Sequence, residues 1–299
     1  MSSARCSSFI LKIPPETIDH ILSFLIAAHD EPPPAAGSRG TKPVPQYHPH
    51  RNLKSASLIS TLWRGPSQRR LFAQVVVRSS SEASHAAKLF QTSGLGECVR
   101  RLRVQAQYVE LLSPVPTGTS WGDAPVTADE FATLLRLLPR VQELQLGCAT
   151  FSKLPEFSTI LPNVQTLRIT TAPHDTAHAL LRSLLRLTPN LETLELSYGA
   201  AHAVLSFRTK PFPRAPPLPS LRTLALGPNV GAIATHLATL LRPETCRQIT
   251  TVHLVDGSDH RGLGGILELL PNVERVVYDI KADAALVRTV QNCFPLLAV

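Results

Sequence analysis

The chain has 299 residues, a formal net charge of +8 and 43% hydrophobic residues. This apolar content disfavours disorder throughout, and no apolar run is long enough to cross a bilayer. The arginines are scattered rather than grouped, so the positive charge indicates a solvated surface rather than a nucleic-acid-binding face. Widely spaced cysteines without a C-x-x-C pair disfavour disulfides and a zinc site, and favour a reducing compartment, the cytoplasm or the nucleus. They are Cys6, Cys98, Cys148, Cys246 and Cys293.

The first predicted element is a short apolar helix within "KIPPETIDHILSFLI", residues 12–26. Residues 1–12 lack such a pattern and are predicted to be a disordered terminus. Two prolines fix φ where a helix begins, and isoleucine and leucine then recur at helical spacing. The apolar surface covers more than one stripe, so a neighbouring helix cannot bury all of it and a protein partner is implied. The two prolines at the start of the helix and its apolar residues at helical spacing are Pro14, Pro15, Ile18, Ile21, Leu22 and Leu25.

A proline-rich segment at 27–50 follows this helix and contains six prolines with few apolar residues. The composition predicts an unstructured loop, and the helices on either side can still pair because loop-closure entropy grows only logarithmically with length. A second apolar helix is predicted in "NLKSASLISTLW", residues 52–63, and "RRLFAQVVV", residues 69–77, predicts a third helix that passes into a first strand. The apolar positions of the second helix include Leu53, Leu58 and Trp63.

A repeated pattern occupies most of the remaining chain, with a turn, an apolar anchor and an alternating strand in each copy. "LPRVQELQL", "LPNVQTLRI", "TPNLETLEL", "LPSLRTLAL" and "LPNVERVVY" are the clearest copies, and "CVRRLRV" and "CRQITTVHL" are weaker ones. Successive anchors lie 23 to 30 residues apart after a first interval of 42, mostly within or near the spacing of leucine-rich repeats. The anchors are Val99, Val141, Val164, Leu191, Leu221, Ile249 and Val273.

Between the strands the apolar period changes to that of a helix. Residues 127–138 place apolar side chains at i, i+3, i+4 and i+7 behind a capping box of Thr127 and Glu130, and residues 229–241 repeat the helical spacing. One strand and one helix per repeat cannot bury their apolar faces alone, but stacked copies can. The predicted fold class is therefore α/β, with an irregular leucine-rich-repeat solenoid over 73–299 that has parallel strands inside and helices outside.

One feature of regular repeat arrays is missing from the sequence. Regular repeats carry Asn or Cys three residues beyond the last strand leucine, where the side chain bonds the backbone of the turn, and only one equivalent position here carries Asn. Curvature and register are therefore predicted to be irregular. An ordinary doubly wound α/β domain is the alternative, and it would need longer strands and a phosphate-binding loop. The equivalent positions are Ala149, Ala172, Gly199, Asn229, Gly257 and Lys281.

The helices ahead of the repeats resemble an F-box. The stretch Ile13–Glu16 stands at the Leu-Pro opening of that family, and Leu58–Ser60 with Trp63 stands in its second half. With the repeats behind it, this order is similar to that of fungal F-box proteins with irregular leucine-rich repeats. The resemblance predicts a short helical F-box at 13–72 ahead of the repeat domain. The insertion at 27–50 departs from the family pattern, which joins its first two helices by a few residues.

The resemblance implies a substrate-recruiting subunit of a Skp-cullin-F-box ubiquitin ligase. The F-box would dock on a Skp-type adaptor that joins the cullin scaffold, and the repeat domain would hold a target protein near the charged conjugating enzyme. The chain would then be a non-catalytic recognition subunit with no cofactor of its own. The adaptor-binding residues carried over by position are Pro14, Pro15, Ile18, Ile21, Leu22, Leu25, Leu53, Leu58 and Trp63.

Target recognition is expected on the outward positions of the strands or on the loops at their rim. Interface hot spots favour arginine and large aromatic residues, and the strands are nearly free of aromatics. Two alternatives stay open: a leucine-rich-repeat scaffold without a ligase, in which residues 13–72 cap the array, and a basic nucleic-acid-associated protein. The candidate target-binding residues are Arg101, Arg103, Arg168, His253 and Arg275.

No catalytic or metal-binding set is predicted. One segment crowds Asp256, Ser258, Asp259 and His260, but adjacent loop residues rarely converge as nucleophile and base, and the sequence has no G-x-S-x-G elbow. His48 and His50 lie in the proline-rich segment without a carboxylate or cysteine nearby, which indicates loop histidines rather than metal ligands.

Overall fold

The structure is a computed structural model of the chain. It describes residues 17–18, 21, 54, 61–105, 124–147, 160–171, 175–198, 214–227, 237, 240–254 and 267–278. Within these ranges only the backbone is described for residues 61–63, 105, 171, 175–180, 198 and 278. The residues of the chain cluster into two compact units, Met1–Gln74 and Val75–Val299. The predicted domain boundaries at 12, 72 and 73 stay predictions.

Eight strands form one sheet, and their order in the sheet is their order in the chain. Strands β2 to β8 pair in parallel with their neighbours, which is the arrangement of an α/β solenoid. A doubly wound sheet would reverse its strand order at a switch point, so that alternative is wrong. The strands are β1 (Gln74–Val77), β2 (Arg101–Gln105), β3 (Glu143–Gly147), β4 (Thr166–Thr171), β5 (Thr193–Tyr198), β6 (Thr223–Leu226), β7 (Thr251–Leu254) and β8 (Arg275–Tyr278).

Helices lie between many of the strands, as the change of apolar period predicts. They are α1 (Thr61–Leu71), α2 (Ser80–Ser93), α3 (Ala128–Leu137), α4 (Asp175–Leu187) and α5 (Pro243–Gln248), with a short 3₁₀ helix at Leu95–Cys98. Leu237 and Leu240 are also helical and buried, in agreement with the helix predicted over 229–241. Strands and helices thus alternate along the repeat region, which is the predicted α/β composition.

The core contains two rows of side chains that run across the parallel strands. In β2 to β7 every second strand residue is buried, and the register places the buried residues of neighbouring strands side by side. The seven predicted anchors are buried as well, which confirms the predicted repeat pattern. One row is Leu102, Leu144, Leu167, Leu194, Leu224 and Val252, and the other is Val104, Leu146, Ile169, Leu196, Leu226 and Leu254, all at most 3% exposed.

Helix α3 begins at the predicted capping box. The Thr127 Oγ1 accepts a hydrogen bond from the Glu130 backbone N–H at 3.3 Å, and the Glu130 Oε2 accepts one from the Thr127 backbone N–H at 2.8 Å. The Ser80 hydroxyl of α2 also donates to the Glu130 carboxylate, so this residue joins two helices. The predicted apolar face of the helix is buried: Phe131, Leu134, Leu135 and Leu138.

A ladder of asparagine side chains joins the turns that precede the strands. In each rung an asparagine Nδ2 donates to a backbone carbonyl of the preceding repeat, 24 to 28 residues earlier. The ladder expected of regular repeats follows the strands instead, and its positions in this chain lie outside the described residues. The rungs run from Asn163 to Pro139 at 2.8 Å, from Asn190 to Pro162 at 2.9 Å, and from Asn272 to Arg247 at 2.7 Å.

Helix α1 differs from the prediction, in which the second helix ends at residue 63 and a third helix begins near residue 69. The helix runs without a break from Thr61 to Leu71, through Gly65 and Pro66. Proline lacks a backbone N–H and disfavours a helix interior, so its place within α1 runs against its local preference. Pro66 and Ser67 are buried, and β1 follows at Gln74 as predicted. Packing of this turn therefore outweighs the local preference.

Candidate functional site

The outward face of the sheet is the candidate binding surface. Its side chains alternate with the buried rows and are mostly half-buried, because each is flanked by neighbours on adjacent strands. The register aligns them in two rows across strands β2 to β8. The first row is Arg101, Glu143, Thr166, Thr193, Thr223, Thr251 and Arg275, and the second is Arg103, Gln145, Arg168, Glu195, Ala225, His253 and Val277.

All five predicted target-binding residues lie on this face, but the fold does not bring them into one cluster. Arg101 and Arg275 stand at opposite ends of the first row, and both are exposed. Arg103, Arg168 and His253 share the second row. One strand lies between Arg103 and Arg168, and two strands lie between Arg168 and His253. A ligand that touched all five would therefore span seven strands, roughly 29 Å at the usual strand spacing. The five residues therefore do not form a compact site.

Arg168 is held between two carboxylates from the strands on either side. Its Nε lies 3.1 Å from the Glu143 Oε1 and 3.3 Å from the Glu195 Oε2. The Nε has no hydrogen bond of good geometry in the described residues, so the contacts are ion pairs by distance rather than aligned hydrogen bonds. The side chain of Arg168 is 42% exposed, and its two partners are about one quarter exposed. The sequence identified Arg168 but not this arrangement, which depends on cross-strand register.

The outward face of β6 carries small residues. Thr223 and Ala225 occupy the outward positions, Ala225 is nevertheless buried, and Gly227 directly follows the strand. A Cβ on Gly227 would stand 2.0 Å from the Ser197 Oγ, so only glycine fits this approach of two neighbouring strands. The surface therefore has its charged cluster on β3 to β5 and small side chains on β6.

The predicted adaptor-binding residues are described only in part. Ile18 and Ile21 are helical, in agreement with the predicted first helix. Ile18 is fully buried, and Ile21 is 38% exposed. Trp63 lies in α1 with only its backbone described. The other six predicted residues lie outside the described residues: Pro14, Pro15, Leu22, Leu25, Leu53 and Leu58.

Among the residues that the structure describes, two titratable groups have a shifted pKa. Burial of the Cys246 thiol raises its pKa, which suits a thiol that packs as an apolar side chain. Partial burial tends to raise the pKa of Glu130, but hydrogen bonds from Ser80, Thr127 and Ser84 outweigh this effect and lower the pKa. Both groups lie on helices, away from the outward strand rows.

Neither a metal-binding cluster nor a membrane-spanning helix is found among the residues that the structure describes. No group of three histidine, cysteine or carboxylate side chains in the described ranges could hold a metal ion. No helix in the described part of the chain is long and apolar enough to cross a membrane. The segments weighed and rejected as catalytic or metal-binding, 256–260 and 48–50, lie outside the described residues.

Comparison with known proteins shows similarity to solved structures. No family model matches the chain, and no curated protein matches it. The chain is similar to the crystal structure of the leucine-rich repeat-containing protein LegL7 from Legionella pneumophila, with 14% sequence identity and a TM-score of 0.36. The similarity covers 78% of this chain and 68% of that one. The solenoid assignment rests on the strand order, register and repeated turns of this chain itself.

Proposed function

We propose that the chain is the substrate-recruiting F-box subunit of a Skp-cullin-F-box ubiquitin ligase, acting in the cytoplasm or the nucleus. The F-box resemblance of residues 13–72 supports docking on a Skp-type adaptor. The repeat array behind it supports the recruiting role, because stacked repeats present an extended surface suited to protein targets. In this role the chain itself performs no chemistry and brings a target lysine near the conjugating enzyme.

The observation that carries the proposal is the continuous outward face of the sheet. Seven parallel strands align charged and hydroxyl side chains in register, and most of these side chains stay partly exposed. Arg101 and Arg275 offer exposed guanidinium groups at its two ends, and Arg168 offers a half-exposed one near its middle. Guanidinium groups bind carboxylates and stack on aromatic side chains, so these three are the proposed contacts to the target.

The exposed side chain of Ile21 supports adaptor docking through the first helix. Large apolar side chains at protein interfaces are exposed in the free chain, and Ile21 is 38% exposed while its helical neighbour Ile18 is fully buried. In this proposal Ile18 packs within the chain and Ile21 faces the adaptor. Leu22 and Leu25 are assigned to the same docking surface on sequence grounds alone.

Co-purification of the full chain with a Skp-type adaptor tests this proposal. Ile21→Asp should abolish capture of the adaptor, because it places a charge in an apolar interface. Leu89→Asp is the matched control, since Leu89 is 41% exposed on α2 and should tolerate a charge without loss of adaptor capture. Leu22→Asp combined with Leu25→Asp should act as Ile21→Asp does. Unchanged capture by both of these variants, with the wild-type circular dichroism spectrum retained, would contradict docking through this helix, and no capture by the wild-type chain would contradict the ligase role.

A repeat scaffold without a ligase role is the second candidate, and the complete burial of Ile18 favours it. If residues 13–72 only cap the repeat array, their apolar side chains pack within the chain and no adaptor is needed. This candidate predicts that wild-type chain captures no Skp-type adaptor under any condition, while Ile18→Asp unfolds the chain. The co-purification experiment therefore separates the two candidates.

A further inference from the structure

An open depression of about 550 Å³ lies at the edge of the sheet where strands β7 and β8 begin. Two arginines from consecutive repeats line it, Arg222 just before β6 and Arg247 near the end of α5. Thr250, Asn272 and Glu274 also line the depression. The depression is separate from the outward strand rows, because its lining residues come from the end of α5 and from the turns that precede the strands.

Neither of the two arginines has an ion-pair partner among the residues that the structure describes, in contrast to Arg140 and Arg168. Arg140 pairs with Glu97 at 2.8 Å, and Arg168 lies within 3.3 Å of two glutamates. Arg222 makes one long contact, from its Nη1 to a neighbouring carbonyl at 3.4 Å, and both Arg222 and Arg247 are exposed. Glu274 shares the lining without an ion pair to either arginine in the described chain. The depression thus keeps a net positive charge and uncommitted guanidinium donors.

The backbone beneath these side chains is fixed before any ligand arrives. The Arg222 carbonyl accepts hydrogen bonds from the Thr250 and Thr251 N–H groups at 3.0 and 3.1 Å, and the Thr250 carbonyl accepts them from the Glu274 and Arg275 N–H groups at 2.9 and 3.1 Å. Arg247, the remaining cationic residue, is joined to the next turn by the Asn272 rung. That rung also satisfies a carbonyl that would otherwise repel an anion. The site is therefore preorganised at the level of its main chain.

We propose that this depression binds a phosphate group, with Arg222 and Arg247 as its two ligands from consecutive repeats. A guanidinium fork binds two oxygens of an anion side by side. One such fork saturates a planar carboxylate on one side, whereas a tetrahedral phosphate presents oxygen pairs to two forks at once. The Thr250 hydroxyl can donate a further hydrogen bond. Glu274 repels the anion and so tunes the site toward weak, reversible binding.

Calorimetric titration of the full chain tests the proposal, with inorganic phosphate as the probe and sodium chloride to match ionic strength. Arg222→Ala with Arg247→Ala should weaken phosphate binding by about tenfold or more. Arg136→Ala with Arg186→Ala is the charge-matched control, because these exposed arginines lie on α3 and α4, and it should bind as wild type does. Glu274→Gln should bind more tightly, since it removes the like charge.

Two further arms identify how the site works and where its phosphate comes from. Arg222→Lys with Arg247→Lys keeps the charge but loses both forks, so binding should fall. Unchanged binding in this variant would mean general charge attraction and would overturn the proposal.

A phosphoserine peptide that binds more tightly than inorganic phosphate would indicate a phosphate carried by a protein. Tighter binding of inorganic phosphate would indicate a free phosphate compound. No saturable binding of either probe, or equal binding by the double alanine variant, would also overturn it. None of these outcomes depends on adaptor binding.

Discussion

The asparagine ladder makes a prediction that can be worked out from its geometry. Asn190→Ala removes the bond from the Asn190 Nδ2 to the Pro162 carbonyl, which is 2.9 Å long. A net hydrogen bond contributes about 0.5–1.5 kcal/mol to stability. Asn190 and Pro162 are both exposed or nearly so, and water can replace the lost partner, so the expected loss lies at the low end, about 0.5–1 kcal/mol.

Two companion variants make this prediction sharper. Asn190→Asp keeps the shape of the side chain but replaces the donor by a carboxylate that faces a carbonyl, so it should cost more than Asn190→Ala. Ser220 occupies the equivalent turn position of the next repeat, where its short side chain makes no rung in the described chain. Ser220→Asn should therefore add a rung to the Pro189 carbonyl and stabilise the chain by about 0.5 kcal/mol.

Equilibrium unfolding in urea, followed by far-ultraviolet circular dichroism, measures these differences. With a urea dependence of about 3 kcal/mol per molar, a change of 0.6 kcal/mol moves the midpoint by about 0.2 M. The slope must stay constant across the series, because stacked repeats can lose two-state behaviour. Equal midpoints for wild type and Asn190→Asp would refute the reasoning, as would equal midpoints for Ser220→Asn and Ser220→Ala.

Three further predictions follow from the core, a helix cap and the charged cluster. Leu194→Ala should cost about 3 kcal/mol in urea unfolding, because Leu194 is fully buried at mid-sheet; a loss below about 1 kcal/mol would contradict this packing. The folded state lowers the pKa of Glu130, so its stabilising effect is present at neutral pH and is lost as the pH falls below 4.5; the advantage of wild type over Glu130→Gln should shrink in acid unfolding experiments. Arg168→Met should change thermal stability by less than about 1 kcal/mol, because the ion pairs are partly exposed, and high salt should reduce the difference further.

The buried framework of the repeats was predictable from the sequence. Strand alternation and anchor spacing depend on local period, and burial of Leu144 and Leu194 follows directly from that period. The capping box of Thr127 and Glu130 was predictable for the same reason, since both partners lie within one helical turn. Local patterns identify local contacts reliably when packing supports them.

Contacts between repeats were not predictable in the same way. The partner of Asn163 is a backbone carbonyl 24 residues earlier, and no sequence letter marks a carbonyl as an acceptor. The recurrence of Asn in "LPN" and "TPN" was the available signal, but regular repeats place their ladder after the strand instead. The Arg168 cluster needed the register of three strands, and the continuity of α1 through Pro66 needed knowledge of its packing.

Each repeat has a part of constant length, from the turn into the strand, and a part of variable length, from the strand to the next turn. From the turn to the first buried strand residue the spacing is constant, as from Leu138 to Leu144 and from Thr188 to Leu194, whereas the length from the strand to the next turn varies between repeats. The asparagine rungs and the turn carbonyls bond within the constant part, so an insertion there would break both. An insertion in the variable part leaves register intact. The segments that follow the strands are therefore where this array can change its surface without loss of the core.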